Sequence, residues 1–333
     1  MSTKSSEATP IIRSIVNPEY LKININNRYD IGKIKTCKPL KYGGSNDIFL
    51  LITDNKKYIA KIFFGRKCWR YTKNHYLFEL EFQEFLYNNS FDVTTPIRNT
   101  NNELLVCLNL PEGQRYLALY SFVEGEKWDH TFNKENRMKL LGESIGKLHA
   151  LGKNYKNKIN RELNIELMLE KSWFNIIKEN KLPNNKIENT IKEHYDSLRQ
   201  AIMKHDIKKL NLKMVHGDVH AGNNIYCKEQ NKLSLIDFEL CGYGYYAYEF
   251  ATLKWDLLKS HKKDFCKKCM NEFFDGYSLV NTLEQNDVKL IDVFLKIRVF
   301  FMLGSSFLFY VDQPQHNNIY NWEYCIRLLE KNV

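Results

Sequence analysis

Glycine and proline are sparse, 15 and seven in 333 residues, and no stretch is rich in Gly or Ser. Internal repeats and low-complexity tails are also missing, which excludes solenoid and fibrous architectures and any flexible linker between domains. No long hydrophobic run occurs: the strongest candidate, Val299 to Val311, is too short to cross a bilayer and follows Lys296 and Arg298. It reads as a buried C-terminal helix. Met1 to Pro10 is polar and lacks the apolar centre of a signal peptide, so it reads as a tail. A soluble, cytoplasmic chain with no membrane partner is expected.

Metal-binding cysteine patterns are missing as well. Of eight cysteines only Cys266 and Cys269 lie close together, and one Cys-Lys-Lys-Cys without a second ligand pair does not make a structural zinc site. Reduced thiols in a reducing compartment are expected. The net charge of +10 and pI near 9.0 raise the question of nucleic acid, most of all around Gly65 to Lys73, where basic and aromatic residues interleave. Yet the sequence has no helix-turn-helix, finger or RNA-binding sheet pattern, and Lys and Asn are abundant throughout. Nucleic acid is therefore not expected as a partner, and the oligomeric state leaves no trace in the sequence.

What is present begins with an ample core, 44% hydrophobic and 14% aromatic residues, over a length that favours two lobes. The most informative stretch is Val215-His216-Gly217-Asp218-Val219-His220-Ala221-Gly222-Asn223-Asn224, followed by Leu235-Ile236-Asp237-Phe238. Phosphoryl transfer asks little covalent help of a protein, so it rests on in-line positioning and on neutralising developing charge. A carboxylate that orients and deprotonates a hydroxyl suits Asp218. Oxygen ligands for a hard cation suit Asn223, five positions on, and Asp237 on the next apolar strand. This set reads as a kinase active site using Mg2+, with His220 placed either to donate to phosphate or to brace the loop.

The run His-Gly-Asp-x-His-x-x-Asn followed by Ile-Asp-Phe resembles the aminoglycoside phosphotransferase and choline kinase-like family, which includes type II homoserine kinases and bacterial stress-response kinases. Cys241-Gly242-Tyr243-Gly244 and Tyr248-Glu249-Phe250-Ala251 are similar to that family's Gly-Tyr-Gly segment and its Asp-Leu-Ala end, with Glu249 in place of the usual Asp. The resemblance implies an α+β protein-kinase-like fold in two lobes, a small antiparallel-sheet N-lobe and a larger, mostly helical C-lobe. It also implies that the carboxylate at Glu249 braces the catalytic loop, a structural role.

An upstream nucleotide lobe is then implied. Lys41 to Phe49, with Gly43, Gly44, Ser45 and Asn46, falls where a phosphate-covering hairpin belongs, although neither a full glycine-rich loop nor a Walker A sequence is present. The strand Lys57 to Phe64 puts Ile59, Lys61 and Phe63 on one face, and the resemblance makes Lys61 the phosphate-facing cation. Its helix partner is Glu79, with Glu81 and Glu84 as competitors, on a segment whose apolar positions Phe78, Phe82, Phe85 and Leu86 have helical spacing. Arg115 to Glu126 reads as a strand running into the hinge, with Ser121, Phe122 and Val123 offering backbone groups to adenine.

The expected organisation is a tail and leading helix over 1–30, an N-lobe with hinge over 31–125 and a helical C-lobe over 126–333. Met138, Leu141, Ile145 and Leu148 form an apolar helical stripe over Asn136 to Leu151, on which Gly142 and Gly146 permit close helix packing. Helices over Ile165 to Ile177 and Ile187 to Met203 are expected on either side of a break at Leu182 to Asn185. Only a dozen residues separate Asp237 from Glu249, and Glu239 stands where protein kinases carry the glycine of Asp-Phe-Gly, so no long activation segment fits. Glu239 reads equally as a metal or acceptor contact and as a salt-bridged loop residue.

The resulting expectation is a phosphotransferase moving the γ-phosphoryl group of ATP (or GTP), with Mg2+, to a hydroxyl of an aminoglycoside or amino-alcohol-like molecule. The alternatives are a Ser/Thr protein kinase of the stress-response type and a non-catalytic nucleotide-binding scaffold. Trp173, Tyr243, Tyr245, Tyr246, Trp255, Asp275 and Trp322 are candidates for an acceptor pocket.

Overall fold

The computed structural model describes residues 11, 14–41, 46–64, 72–127, 136–179, 182, 184–260, 262–309 and 322–330. They divide into two compact units, one of residues 1–73 and 95–122, the other of residues 74–94 and 123–333.

The first unit opens on helix α1 (Pro18–Asn26), started by the Asn17 side chain, which accepts from the Glu19 amide at 2.8 Å, and by Pro18 in the first turn. Strands β1 (Thr36–Lys41), β2 (Asn46–Ile52) and β3 (Lys57–Phe63) run antiparallel. β4 (Pro96–Ile97), β5 (Val106–Leu110) and β6 (Gly113–Ser121) complete a sheet of order β1-β2-β3-β6-β4, with β5 also on β6. Side chains alternate along a strand, so Ala60 and Ile62 join Phe49, Leu51, Leu117 and Leu119 in the core under α1 while Lys61 takes the other face. Arg115 staples the sheet from within. It donates to Asp47 Oδ2 at 2.7 Å and to the Phe63 carbonyl at 2.9 Å, so its buried charge is both paired and hydrogen-bonded.

In the second unit, α2 (Lys73–Asn88) buries Phe78, Phe82 and Leu86. β7 (Glu126–Lys127) precedes α3 (Arg137–Gly152), which buries the predicted stripe Met138, Leu141, Ile145 and Leu148. A π-helical turn (Glu166–Lys171) leads into α4 (Ser172–Glu179), and Asn184 caps α5 (Asn185–Lys204) by accepting from the Ile187 amide at 3.0 Å. These elements match the two expected helical stretches and the break between them. Then follow β8 (Lys213–Val215), β9 (Asn224–Cys227), β10 (Lys232–Leu235) and β11 (Gly242–Gly244). Among the described residues the helices α6 (Tyr246–Ser260), α7 (Lys263–Ser278), α8 (Gln285–Lys289), α9 (Ile291–Phe309) and α10 (Trp322–Glu330) follow. Among the described residues no helix is long and apolar enough to cross a membrane.

The α3 glycines are packing devices. A Cβ at Gly142 would meet the Phe273 carbonyl oxygen at 1.9 Å, and one at Gly276 would meet the Lys139 carbonyl at the same distance, so α3 and α7 touch backbone to backbone. Gly142→Ala is expected to cost at least about 1–3 kcal/mol, read as a lower urea midpoint with an unchanged slope.

Candidate active site

The central loop lies between β8 and β9, and two short antiparallel pairings frame it. β11 pairs β8, and β9 pairs β10 in a register that sets Asn224 opposite Leu235. The Ile236 amide then donates to the Asn223 carbonyl at 3.0 Å, which puts Asn223 and Asp237 at the same end of this hairpin. Asp237 adopts a left-handed backbone, φ +60°, a conformation that Asp tolerates better than most residues. Gly217 is also left-handed, φ +81°, and a Cβ there would lie 2.3 Å from the Leu240 carbonyl, so only glycine fits before Asp218.

Asp218 is held from several sides. Arg298 Nη2 donates to its Oδ1 at 2.5 Å, and His220 Nε2 lies 3.6 Å from its Oδ2. Asn223 Nδ2 donates to the Asp218 carbonyl at 3.0 Å and to Oδ2 at 3.2 Å. This fixes the Asn223 amide with its oxygen on the side away from Asp218. Burial would raise the Asp218 carboxyl, but the Arg298 charge and the His220 contact outweigh it and hold it well below the usual carboxylate range.

The histidines brace rather than float. His216, fully buried, contacts the Ile236 carbonyl through Nε2 at 3.0 Å and accepts from the Asp218 amide at Nδ1, 3.3 Å, so it is the neutral Nε2–H tautomer. Burial pushes its pKa down. His220 Nδ1 accepts from the Gly222 amide at 3.0 Å, leaving the Nε2 proton toward Asp218. The Asp256 carboxylate on α6 accepts from the Ala221 amide at 3.0 Å and pins the next residue.

Glu249 supports the loop from beneath. Its Oε1 accepts from the His216 amide at 2.9 Å and its Oε2 from the Gly217 amide at 2.7 Å. The longer side chain thus makes both bonds. Burial pushes the carboxyl up to about 7, although the two amide bonds oppose the shift. His149 Nε2 lies 4.0 Å from Glu249 Oε1, and its ring stacks on Tyr246 at 3.6 Å.

Other predicted residues fall as follows. In the first unit Lys61 is buried on β3 with its ammonium 4.8 Å from the Phe63 ring centroid, and Ile59 beside it is half-buried. Asn46 begins β2, whereas Gly43, Gly44 and Ser45 lie outside the described residues. Ser121 ends β6, where its Oγ accepts from the Thr95 amide at 2.9 Å. Phe122 lies under the Lys57 ammonium at 5.1 Å, and Val123 opens the second stretch of the second unit. Also in the second unit, Glu79 is buried on α2, Glu81 accepts from Asn157 at 2.7 Å, and Glu84 is half-buried. Glu239 is buried, and its carbonyl accepts from Arg161. Of the pocket aromatics, Tyr246 is spent on His149, and Trp173 stacks on Tyr195 at 4.6 Å. Trp255 lies 5.3 Å from the Arg298 guanidinium, Asp275 is exposed on α7, and the Trp322 side chain is outside the described set.

Arg298, Tyr248 and Asp256 were not singled out by motif. The available signal was the charge itself: an Arg in a helix whose neighbours Phe294, Leu295, Ile297 and Val299 are buried requires a partner.

A family model described as the phosphotransferase enzyme family matches residues 36–278. The chain belongs to this family. Among relatives, the phosphotransferase is 26% identical over 296 residues to the uncharacterized protein sll1119 of Synechocystis sp. (strain ATCC 27184 / PCC 6803 / Kazusa), covering 87% of this chain and 79% of the other. It is 25% identical over 268 residues to amicoumacin kinase of Bacillus subtilis (strain 168), covering 78% and 76%. A solved structure of amicoumacin kinase hAmiN in complex with AMP-PNP, Ca2+ and Ami superposes with a TM-score of 0.75 at 18% identity, over 95% of this chain and 94% of that one. The phosphotransferase therefore has the α+β protein-kinase-like fold expected from its motifs.

A nucleotide and a divalent cation are implied by that fold. Among the described residues no group of three or more His, Cys, Asp or Glu side chains is placed to hold a metal. The oxygens available are the Asn223 amide, oriented by its bonds to Asp218, and the Asp237 carboxylate at the same hairpin end. Two hard oxygen donors suit Mg2+, which keeps several waters and phosphate oxygens in its shell and rarely fills an all-protein cage.

Proposed function

We propose that the chain transfers the γ-phosphoryl group of ATP, as its magnesium complex, to a hydroxyl of a small aminoglycoside- or amino-alcohol-like molecule. The observation that carries this reading is the fixing of Asp218 by Arg298 and of the Asn223 amide by Asp218, at the hairpin end that also bears Asp237. Asn223 and Asp237 hold the cation, which supplies charge neutralisation on the phosphate oxygens when bound. Asp218 accepts the acceptor's hydroxyl hydrogen, orients its oxygen for in-line attack and takes the proton as the bond to phosphorus forms. His220 steadies Asp218. The residues this reading assigns to the nucleotide are those the family resemblance implies: Gly43, Gly44, Ser45, Asn46, Ile59, Lys61, Glu79, Ser121, Phe122 and Val123.

Support for a small-molecule acceptor comes from the similarity to amicoumacin kinase, and for the donor from the AMP-PNP and Ca2+ in a solved structure of an amicoumacin kinase. The test is incubation with γ-labelled ATP, or GTP, and magnesium together with kanamycin, choline, 1-amino-2-propanol, amicoumacin or a mixed protein extract. Label in a small molecule is expected. Label in protein would favour a protein kinase, and no transfer would favour a nucleotide-binding scaffold.

A further inference from the structure

We propose that Arg298 is the positioning residue for Asp218: from α9 its Nη2 clamps Oδ1 at 2.5 Å while its Nη1 is anchored on the Tyr248 hydroxyl at 2.6 Å, so that Oδ2, which also accepts from Asn223 at 3.2 Å, keeps its remaining lone pair directed to the acceptor hydroxyl. The assignment of the hydroxyl rests on the function proposed above; the clamp itself does not.

An arginine suits this task because its planar fork makes two hydrogen bonds in one fixed plane, which a lysine cannot do. Arg298 is only 2% exposed, and its guanidinium is also 5.3 Å from the Trp255 ring and 5.7 Å from the Tyr248 ring. Its Nη1 lies 3.5 Å from the Gly217 carbonyl. Consecutive α6 residues therefore divide the work. Glu249 takes the Gly217 amide and Tyr248 holds the arginine that reaches the Gly217 carbonyl and the Asp218 carboxylate. A carboxylate with one oxygen committed cannot rotate about its Cβ–Cγ bond without breaking a charge-assisted hydrogen bond, so the second oxygen keeps one direction.

The experiment determines the structures of the full chain as wild type, Arg298→Met, Arg298→Lys and the milder Tyr248→Phe and compares the direction of the Asp218 carboxylate. In Arg298→Met it should turn about its Cβ–Cγ bond or take more than one direction, and Tyr248→Phe should loosen it by less. Should Arg298→Met fail to fold, Arg298→Lys and Tyr248→Phe decide. An Asp218 carboxylate in the wild-type direction in every folded variant would overturn the proposal.

A second readout uses MgATP and whichever of the panel acceptors wild type phosphorylates. Arg298→Met should lose kcat by about 10²-fold with an unchanged KM for ATP, and Arg298→Lys should recover part of the loss. Wild-type kcat in Arg298→Met would sink the positioning role and leave the phosphotransfer reading standing. If no panel acceptor is phosphorylated, the phosphotransfer reading loses its support while the variant structures still decide the clamp.

Discussion

Asp218→Ala is expected to lower turnover by about 10²–10⁴-fold while the chain still binds nucleotide. Among the described residues, Asp218 is the carboxylate that the loop, α6 and α9 all serve to orient. Glu249, occupied by two amides, and Asp256, occupied by the Ala221 amide, are not placed to replace it. The substitution also strips Arg298 of its counter-charge, so a stability loss of about 2–3 kcal/mol is expected, less than for a fully enclosed pair because Asp218 retains some solvent contact. Asp218→Asn separates the two effects, since it keeps the shape and removes the base. Turnover by stopped assay, nucleotide binding by calorimetry and urea unfolding check the three parts. Near wild-type turnover in a folded Asp218→Asn chain would remove this residue from the chemistry.

Glu249→Ala should give the second large effect. It leaves the buried His216 and Gly217 amides without acceptors, each costing about 1–3 kcal/mol, and frees the residues just before Asp218 to shift. A displacement of an ångström is enough to cost about 10²-fold in rate, so kcat should fall by that order. Glu249→Gln is informative in a different way. Because the native carboxyl is pushed up to about 7, the folded chain binds this proton more tightly than the unfolded chain does. Its stabilising effect is therefore complete below the ordinary carboxyl range and is lost as pH rises through about 7. His149 nearby acts in the opposite sense, since burial holds its pKa well below the usual imidazole value and favours the native state as pH rises. Subtracting the Glu249→Gln urea midpoints from those of wild type between pH 5 and 8 should isolate a downward slope. A flat difference would mean that Glu249 is ionised as readily in the native chain as in the unfolded one.

Much of this was legible in the sequence because the signals were local. The α3 stripe, the alternation that turns Lys61 away from the Ala60 and Ile62 core, and the break before α5 each follow from residues a few positions apart. The loop motif specified Asp218, Asn223 and Asp237 by spacing, and the β9–β10 register explains that spacing, since a tight hairpin returns the chain to its starting end. The Gly142 and Gly146 pair was legible for the same reason, one helix turn setting both on one face. Glu249 was readable as a brace by resemblance, but that its longer side chain takes two adjacent amides is a matter of three-dimensional reach. Arg298 lies 80 residues from Asp218 in the chain, and a single charge in an apolar helix does not name its partner. Seen from sequence it only argued against a membrane span. Which glutamate is most enclosed was likewise beyond spacing: Glu79, Glu81 and Glu84 share a helix, and burial alone distinguishes Glu79.

In the proposed function an oriented hydroxyl, and not water or a protein side chain, receives the γ-phosphoryl group beside Asp218. A phosphorus balance by 31P NMR, with ATP, magnesium and the best panel acceptor, decides between these fates. ADP and a phosphomonoester of the acceptor are expected in equal amounts, with neither formed by Asp218→Asn. ADP matched by inorganic phosphate alone, or by phosphate on protein, would contradict it.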